Sequence, residues 1–305
     1  MIDITSWVMN RTDEIDIDNS VKVYDITFTC PESYDDRGSW SNQYISNISK
    51  NIFRVSYNAE NYSLLINDDE VKIGAIKDYT LSEGRFLVDA TSLSFPEIVH
   101  IFTILNHNKS DFDLIYVQPD GYTENNNNNF ERVNTFDLSD DGIGIRQIPP
   151  FVGIIDNSVM FITLGFEGHR LGSLINSEEY NIKDLHCLIG NPPFKIGWEN
   201  NTLSNNYKNL DLIRKGMDAS FCYAGANDPV KTYEIIEKIY ISSDYEKKKL
   251  CLVPFGTKPS AIAIAQFAVN NSGVVIIYDF VKKKRNRSSG IDLLHTWSFT
   301  YTFNS

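Results

Sequence analysis

The segment Pro254-Phe255-Gly256-Thr257-Lys258-Pro259-Ser260 gathers the groups that hold a phosphate. Gly256 lets a ligand approach the backbone, Thr257 and Ser260 supply hydroxyls, and Lys258 supplies positive charge. An apolar helix is expected to follow, and its N-terminus favours an anion. The spacing of Gly, Lys and hydroxyl is not that of a Walker A loop, and a capped helix carrying an exposed lysine fits the same residues. Gly165-Phe166-Glu167-Gly168-His169-Arg170 sets a carboxylate, an imidazole and a guanidinium side by side. That group suits acid/base work, with Glu167 or His169 as the base, or a clamp on a polar ligand through Arg170; a local Glu167–Arg170 ion pair in a turn is the plainer alternative. In Asp89-Ala90-Thr91-Ser92, Asp89 and Thr91 could position a ribose or a metal-bound water, and in Asp36-Arg37-Gly38-Ser39 Arg37 could reach an anion. Capping and turn formation account for both segments as well. Asn191, in Asn191-Pro192-Pro193-Phe194, and Asp228, ahead of Pro229, complete the set; Asp228 also suits a helix N-cap with proline at the first helical position.

These segments share one property: each follows a short apolar run. Such runs alternate with helix-like stretches along the chain, the rhythm of strand-helix units around a mostly parallel sheet. The runs 21–28, 53–57, 85–91 and 112–117 read as strands of a first half, with a hairpin over 62–76. Between the last two runs Ser94 and Glu97 form a capping box ahead of a helix with Phe95, Ile98, Val99, Phe102 and Leu105 on one face. The runs 159–164, 184–189, 219–223, 250–254 and 274–278 read as strands of a second half, with helices between them. The helix 261–269 is apolar nearly all round and is expected at the centre of the fold. Residues 296–303 alternate Trp, Phe and Tyr with Ser and Thr at period two, which predicts an antiparallel edge strand. The fold class is therefore α/β, two Rossmann-like halves with mostly parallel sheet and an antiparallel C-terminal edge strand. The boundary is expected near Gln147-Ile148-Pro149-Pro150, giving an N-terminal half 1–150 and a C-terminal half 151–305. The asparagine tract 125–129 reads as a flexible loop.

In open parallel sheets, ligands bind beyond the carboxyl ends of the strands, where helix N-termini present unpaired N–H groups. All the candidate residues fall on such an edge. The chain's 305 residues, 42% hydrophobic and 22% charged, suffice for large globular cores and exclude a disordered or fibrous chain. Its net charge of −12 repels nucleic acid over most of the surface, so contact with nucleic acid or a nucleotide is confined to a local basic pocket. The run Lys282-Lys283-Lys284-Arg285-Asn286-Arg287 is either a solvated loop or a contributor to that pocket. There is no apolar run of membrane-spanning length and no signal-like N-terminus, which predicts a cytoplasmic protein without a membrane partner. The four cysteines lack metal-ligand spacing, so neither zinc nor a disulfide is expected, and the sequence names no cofactor. An exposed aromatic edge strand would need covering, which predicts a homo-oligomer or a partner protein.

Two resemblances bear on function. A Rossmann-like unit with Gly256-Thr257-Lys258 at the mouth of a buried helix resembles the late G-T-K segment of CARF-type sensor domains, although Phe255 stands where that family carries a further glycine. The resemblance implies binding of a cyclic oligonucleotide and a sensor or effector subunit in a prokaryotic defence system. Asn191-Pro192-Pro193-Phe194 resembles the NPP-aromatic motif of adenine-N6 DNA methyltransferases, but the family's FxGxG loop has no counterpart upstream. The leading expectation is a module that binds a nucleotide or another phosphorylated small molecule. The alternative is a hydrolase or transferase on a nucleotide-like substrate with Glu167, His169 and Asp89 as catalytic groups; methyltransferase and structural interaction protein stand further behind.

Overall fold

The computed structural model describes residues 1–303 apart from 19, 125–134, 178, 181 and 183. The chain begins with β1 (Ile2–Arg11), β2 (Tyr24–Thr29), α1 (Asp36–Ile48), β3 (Ser49–Asn58), β4 (Ser63–Ile66), β5 (Asp69–Lys72), β6 (Phe86–Asp89), α2 (Phe95–His107) and β7 (Phe112–Tyr122). It continues through β8 (Ser139–Gln147), β9 (Ser158–Thr163), α3 (Gly168–Ile175), β10 (Asp184–Gly190), α4 (Trp198–Gly216), β11 (Asp218–Ala224), α5 (Pro229–Tyr245), β12 (Lys249–Pro254), α6 (Lys258–Asn270) and β13 (Val275–Lys283), and ends with β14 (Ser288–Tyr301). Two compact units result, Met1–Thr123 with Lys283–Ser305, and Glu124–Lys282. The asparagine tract lies outside the described residues. Among those residues, no helix is long and apolar enough to cross a membrane.

The first unit carries an eight-stranded sheet in the order β1-β14-β7-β6-β2-β3-β4-β5. Its centre, β7-β6-β2-β3, is parallel, and the flanks are antiparallel. Helix α1 carries the chain from β2 outward to β3, and α2 carries it from β6 outward to β7, so the topology reverses between β2 and β6. The capping box forms as expected: the side chain of Ser94 caps the start of α2 while Glu97 accepts from the Ser94 N–H. One whole face of α2, including Ile98, Ile101, Phe102 and Leu105, is fully buried.

The second unit has a six-stranded sheet ordered β11-β10-β9-β12-β13-β8. Its first five strands pair in parallel. From β9 the chain steps through α3, β10 and α4 to β11 on one side, while β12, α6 and β13 build the other, so the reversal falls between β9 and β12. Strands β9 and β12 are buried along nearly their whole length, as continuous apolar runs covered on both faces must be. Every residue of α6 between Pro259 and Ala268 is buried, which accounts for its all-round apolar sequence.

Two expectations are corrected here. The unit boundary is not at 150: residues 139–147 form β8 beside β13, and the chain's last segment returns to the first unit. The C-terminal strand is antiparallel but not at the edge. It lies between β1 and β7, with Trp297 opposite both Trp7 and Leu114. The edge of this strand is paired with the chain's own β1, an element whose mixed polar sequence hides it from periodicity, and on its aromatic face Phe299 packs on Phe102 of α2.

Burial of β14 also traps an imidazole. His295 is fully buried, its Nε2–H donates to Gln118 Oε1 at 2.9 Å, and burial pushes its pKa down to about 4 from 6.5. The unfolded chain therefore takes up a proton that the folded chain refuses. Stability is complete above pH 6.5, falls as the pH drops toward about 4, and levels off below it. Urea denaturation across that window is expected to show this slope in the wild type and a flattened one in His295→Gln; equal slopes would mean that His295 titrates normally.

Candidate edge site

In the second unit Glu167, Asn191, Asp228 and Lys258 follow β9, β10, β11 and β12, all at the carboxyl edge of one parallel sheet. The loops on this edge are laced together. Asn191 N donates to Ala224 O at 2.7 Å, Ala226 N to Pro192 O at 2.8 Å, and Thr257 Oγ1 to Ala226 O at 2.7 Å. At the point of reversal the loops after β9 and β12 touch. A Cβ on Gly165 would lie 2.4 Å from Phe255 O, and one on Gly256 would lie 2.8 Å from Thr163 Cβ, so neither position has room for a side chain. Gly256 N donates to Thr163 Oγ1 at 2.9 Å and locks the contact.

The individual candidates divide by what their polar atoms do. Thr257 is the N-cap of α6 and accepts from Ser260 N, while Ser260 Oγ donates back to Thr257 O at 2.8 Å. Both hydroxyls thus serve the cap, and Lys258, half-buried at the first helical position, carries the charge of the turn. Asp228 caps α5 by accepting from Lys231 N at 2.8 Å. Arg170 does not pair with Glu167. Its Nε donates to Asp279 Oδ2 at 3.1 Å and its guanidinium stacks on Phe255, 4.5 Å from the ring centre. Glu167 Oε1 instead accepts from Leu138 N at 3.0 Å and Ser139 Oγ at 2.7 Å. His169 is exposed beside a cleft of about 390 Å³ lined by Asp140, Asp141, Tyr180 and Asp279. With so many carboxylates, that cleft repels an anion.

Arg37, Asp89 and Thr91 belong to the first unit, so the proposed catalytic set of Glu167, His169 and Asp89 is divided between units. Asp89, fully buried at the end of β6, accepts from Thr29 Oγ1 at 2.9 Å and Thr91 N at 3.0 Å. The Thr91 hydroxyl accepts from Val117 N. These contacts build the turn after β6. Arg37 lies buried against Asp35, with Nη2 2.6 Å from Oδ2.

Sequence reading overlooked Asn206 and Asn209 on α4, whose side-chain amides donate to Gly165 O at 2.8 Å and Gly168 O at 2.7 Å and hold the loop after β9 in place. Their three-residue spacing on one helix face was the available signal. It also overlooked Ser220 and His186, cross-strand neighbours with Oγ and Nδ1 2.5 Å apart. Asp184 Oδ1 stands 3.7 Å from His186 Nε2, too far to orient the ring by a hydrogen bond, and Asp184 Oδ2 is occupied by Lys248. The arrangement lacks the oriented base of a hydrolytic triad. Fold and edge define a two-unit, Rossmann-like α/β protein. No protein-family model matches the chain, and no curated protein matches it.

Proposed function

We propose that the chain binds a nucleotide or another phosphorylated small molecule on the carboxyl edge of the second unit. The reading is carried by the meeting of the loops after β9 and β12 at the point where the sheet order reverses, with Lys258 opening a buried helix there. The point of reversal is where open α/β sheets receive ligands, and here a helix terminus faces it. Asn191 and Asp228, on the adjoining loops, would meet the ligand's hydroxyl and base groups. Arg170 would support the floor through Phe255 rather than touch phosphate. The resemblance to CARF-type domains extends the proposal to a sensor subunit of a defence system, with a cyclic oligonucleotide as the ligand.

Isothermal titration with ATP and with cyclic oligoadenylates tests the reading. Lys258→Ala is expected to weaken binding about tenfold, the loss of one charge-assisted hydrogen bond. Unchanged affinity would remove Lys258 from the site. The bound ligand should be recovered intact after hours; its consumption would favour an enzyme.

A further inference from the structure

The first unit has its own point of reversal, between β2 and β6, and its loops are also pressed together: a Cβ on Gly38 would lie 2.5 Å from Ser92 Oγ. Two residues of the basic run reach this point. The loop after β13 is tied down by Asn286 N to Tyr34 O at 2.7 Å and by Thr123 Oγ1 to Asn286 O at 2.6 Å. It thereby carries Lys283 and Arg287 up to Arg37. Lys283 Nζ donates to Ser92 O and lies over the Tyr34 ring, 5.1 Å from its centre.

The charges here do not balance. Asp35 Oδ2 already accepts from Arg37 Nη2 at 2.6 Å and from Ser288 Oγ at 2.6 Å. Arg287 Nε is 3.9 Å from the same oxygen, beyond hydrogen-bond reach, and this buried nitrogen has no acceptor among the described residues. Lys283 makes no ion pair among the described residues. Glu97 is turned to other work, accepting from Ser94 N and Tyr57 N. Two guanidiniums thus share one carboxylate, and the Lys283 ammonium lies close enough to feel both of them as well as the Glu97 carboxylate. Burial, reinforced by the charge of Arg287, pushes the Lys283 ammonium down to about 8. A buried guanidinium nitrogen without an acceptor, beside two further cations, is costly, and a group carrying two or more negative charges with several acceptor oxygens would offset that cost. The Arg287 side chain is still 20% exposed, so the cluster can be reached from solvent.

We infer that Lys283 and Arg287, backed by Arg37, form a phosphate-binding site at the β2/β6 reversal of the first unit, taking the phosphate group of a small molecule. This site is separate from the one proposed on the second unit and does not depend on it. The test is isothermal titration of the full chain with inorganic pyrophosphate. The wild type is expected to bind it, and Lys283→Gln and Arg287→Gln to bind it about tenfold more weakly. In phosphate-free buffer Arg287→Gln is expected to melt no lower than the wild type, since it relieves repulsion. No binding by the wild type, or wild-type affinity in both Lys283→Gln and Arg287→Gln, overturns the inference. Loss confined to Lys258→Ala also overturns it, and leaves the reading of the second unit standing.

Discussion

Asp35→Asn is expected to destabilise the first unit by about 3–5 kcal/mol, because it strands Arg37 as an uncompensated buried charge. Arg37 is 2% exposed and Asp35 7% exposed, and the carboxylate also accepts from Gly38 N and so caps α1. Against a total stability of about 5–15 kcal/mol, a loss of that size is severe. The converging cations sharpen it, since Asp35 is the carboxylate nearest to both Arg37 and Arg287. Removing both partners, as Asp35→Leu with Arg37→Leu, is expected to cost much less than the sum of the single changes. Urea denaturation of the four proteins of that cycle, followed by circular dichroism, reads the coupling; additive losses would show that the pair is energetically independent. The pair also has a pH signature. Burial alone would raise the Asp35 carboxyl, but the neighbouring Arg37 and the hydroxyl of Ser288 hold it below the usual carboxylate range. Its contribution is complete above the unfolded value of about 4 and is lost as pH falls through the lower folded value. That acid limb should vanish in Asp35→Asn while the His295 slope at higher pH persists.

Trp297→Ala has an expected effect of similar size, about 3–5 kcal/mol, from lost burial and the cavity left behind. Trp297 is wholly buried, stacks on Trp7 with ring centres 6.0 Å apart, and lies 5.4 Å from the His295 ring. Phe299, on the same strand, stacks on Phe112 at 4.6 Å. Truncation after Leu294 would go further, withdrawing the strand that joins β1 to β7 and leaving both edges open. The truncated chain is expected to be insoluble, and light scattering after expression checks it. A soluble, folded product would show that β14 does not complete the sheet.

Much of the architecture could be read from the chain because it rests on short-range signals. The capping box of Ser94 and Glu97, the Asp228-Pro229 start of α5 and the apolar run of α6 all depend on neighbours within one or two helical turns, and each forms where expected. The carboxyl edge of the second unit was likewise legible, since a parallel sheet puts every post-strand loop at the same end. Arg170 was misread because a cation beside a carboxylate in sequence pairs in space with Asp279, 109 residues away.

By itself the sequence determined the α/β class, the strand-helix rhythm and which loops lie at the carboxyl edges of the strands, because periodicity and capping are properties of contiguous residues. The tertiary structure alone decided that Ile2 pairs with Tyr301, that β14 fills the sheet, and that Arg287 meets Arg37 at one carboxylate. Those outcomes depend on strand order and on burial between segments far apart in the chain. A basic run looks solvated until distant groups, here Tyr34 O and Thr123, fasten it against a buried ion pair and partly bury Lys283 and Arg287, while Lys282, Arg285 and Asn286 stay exposed.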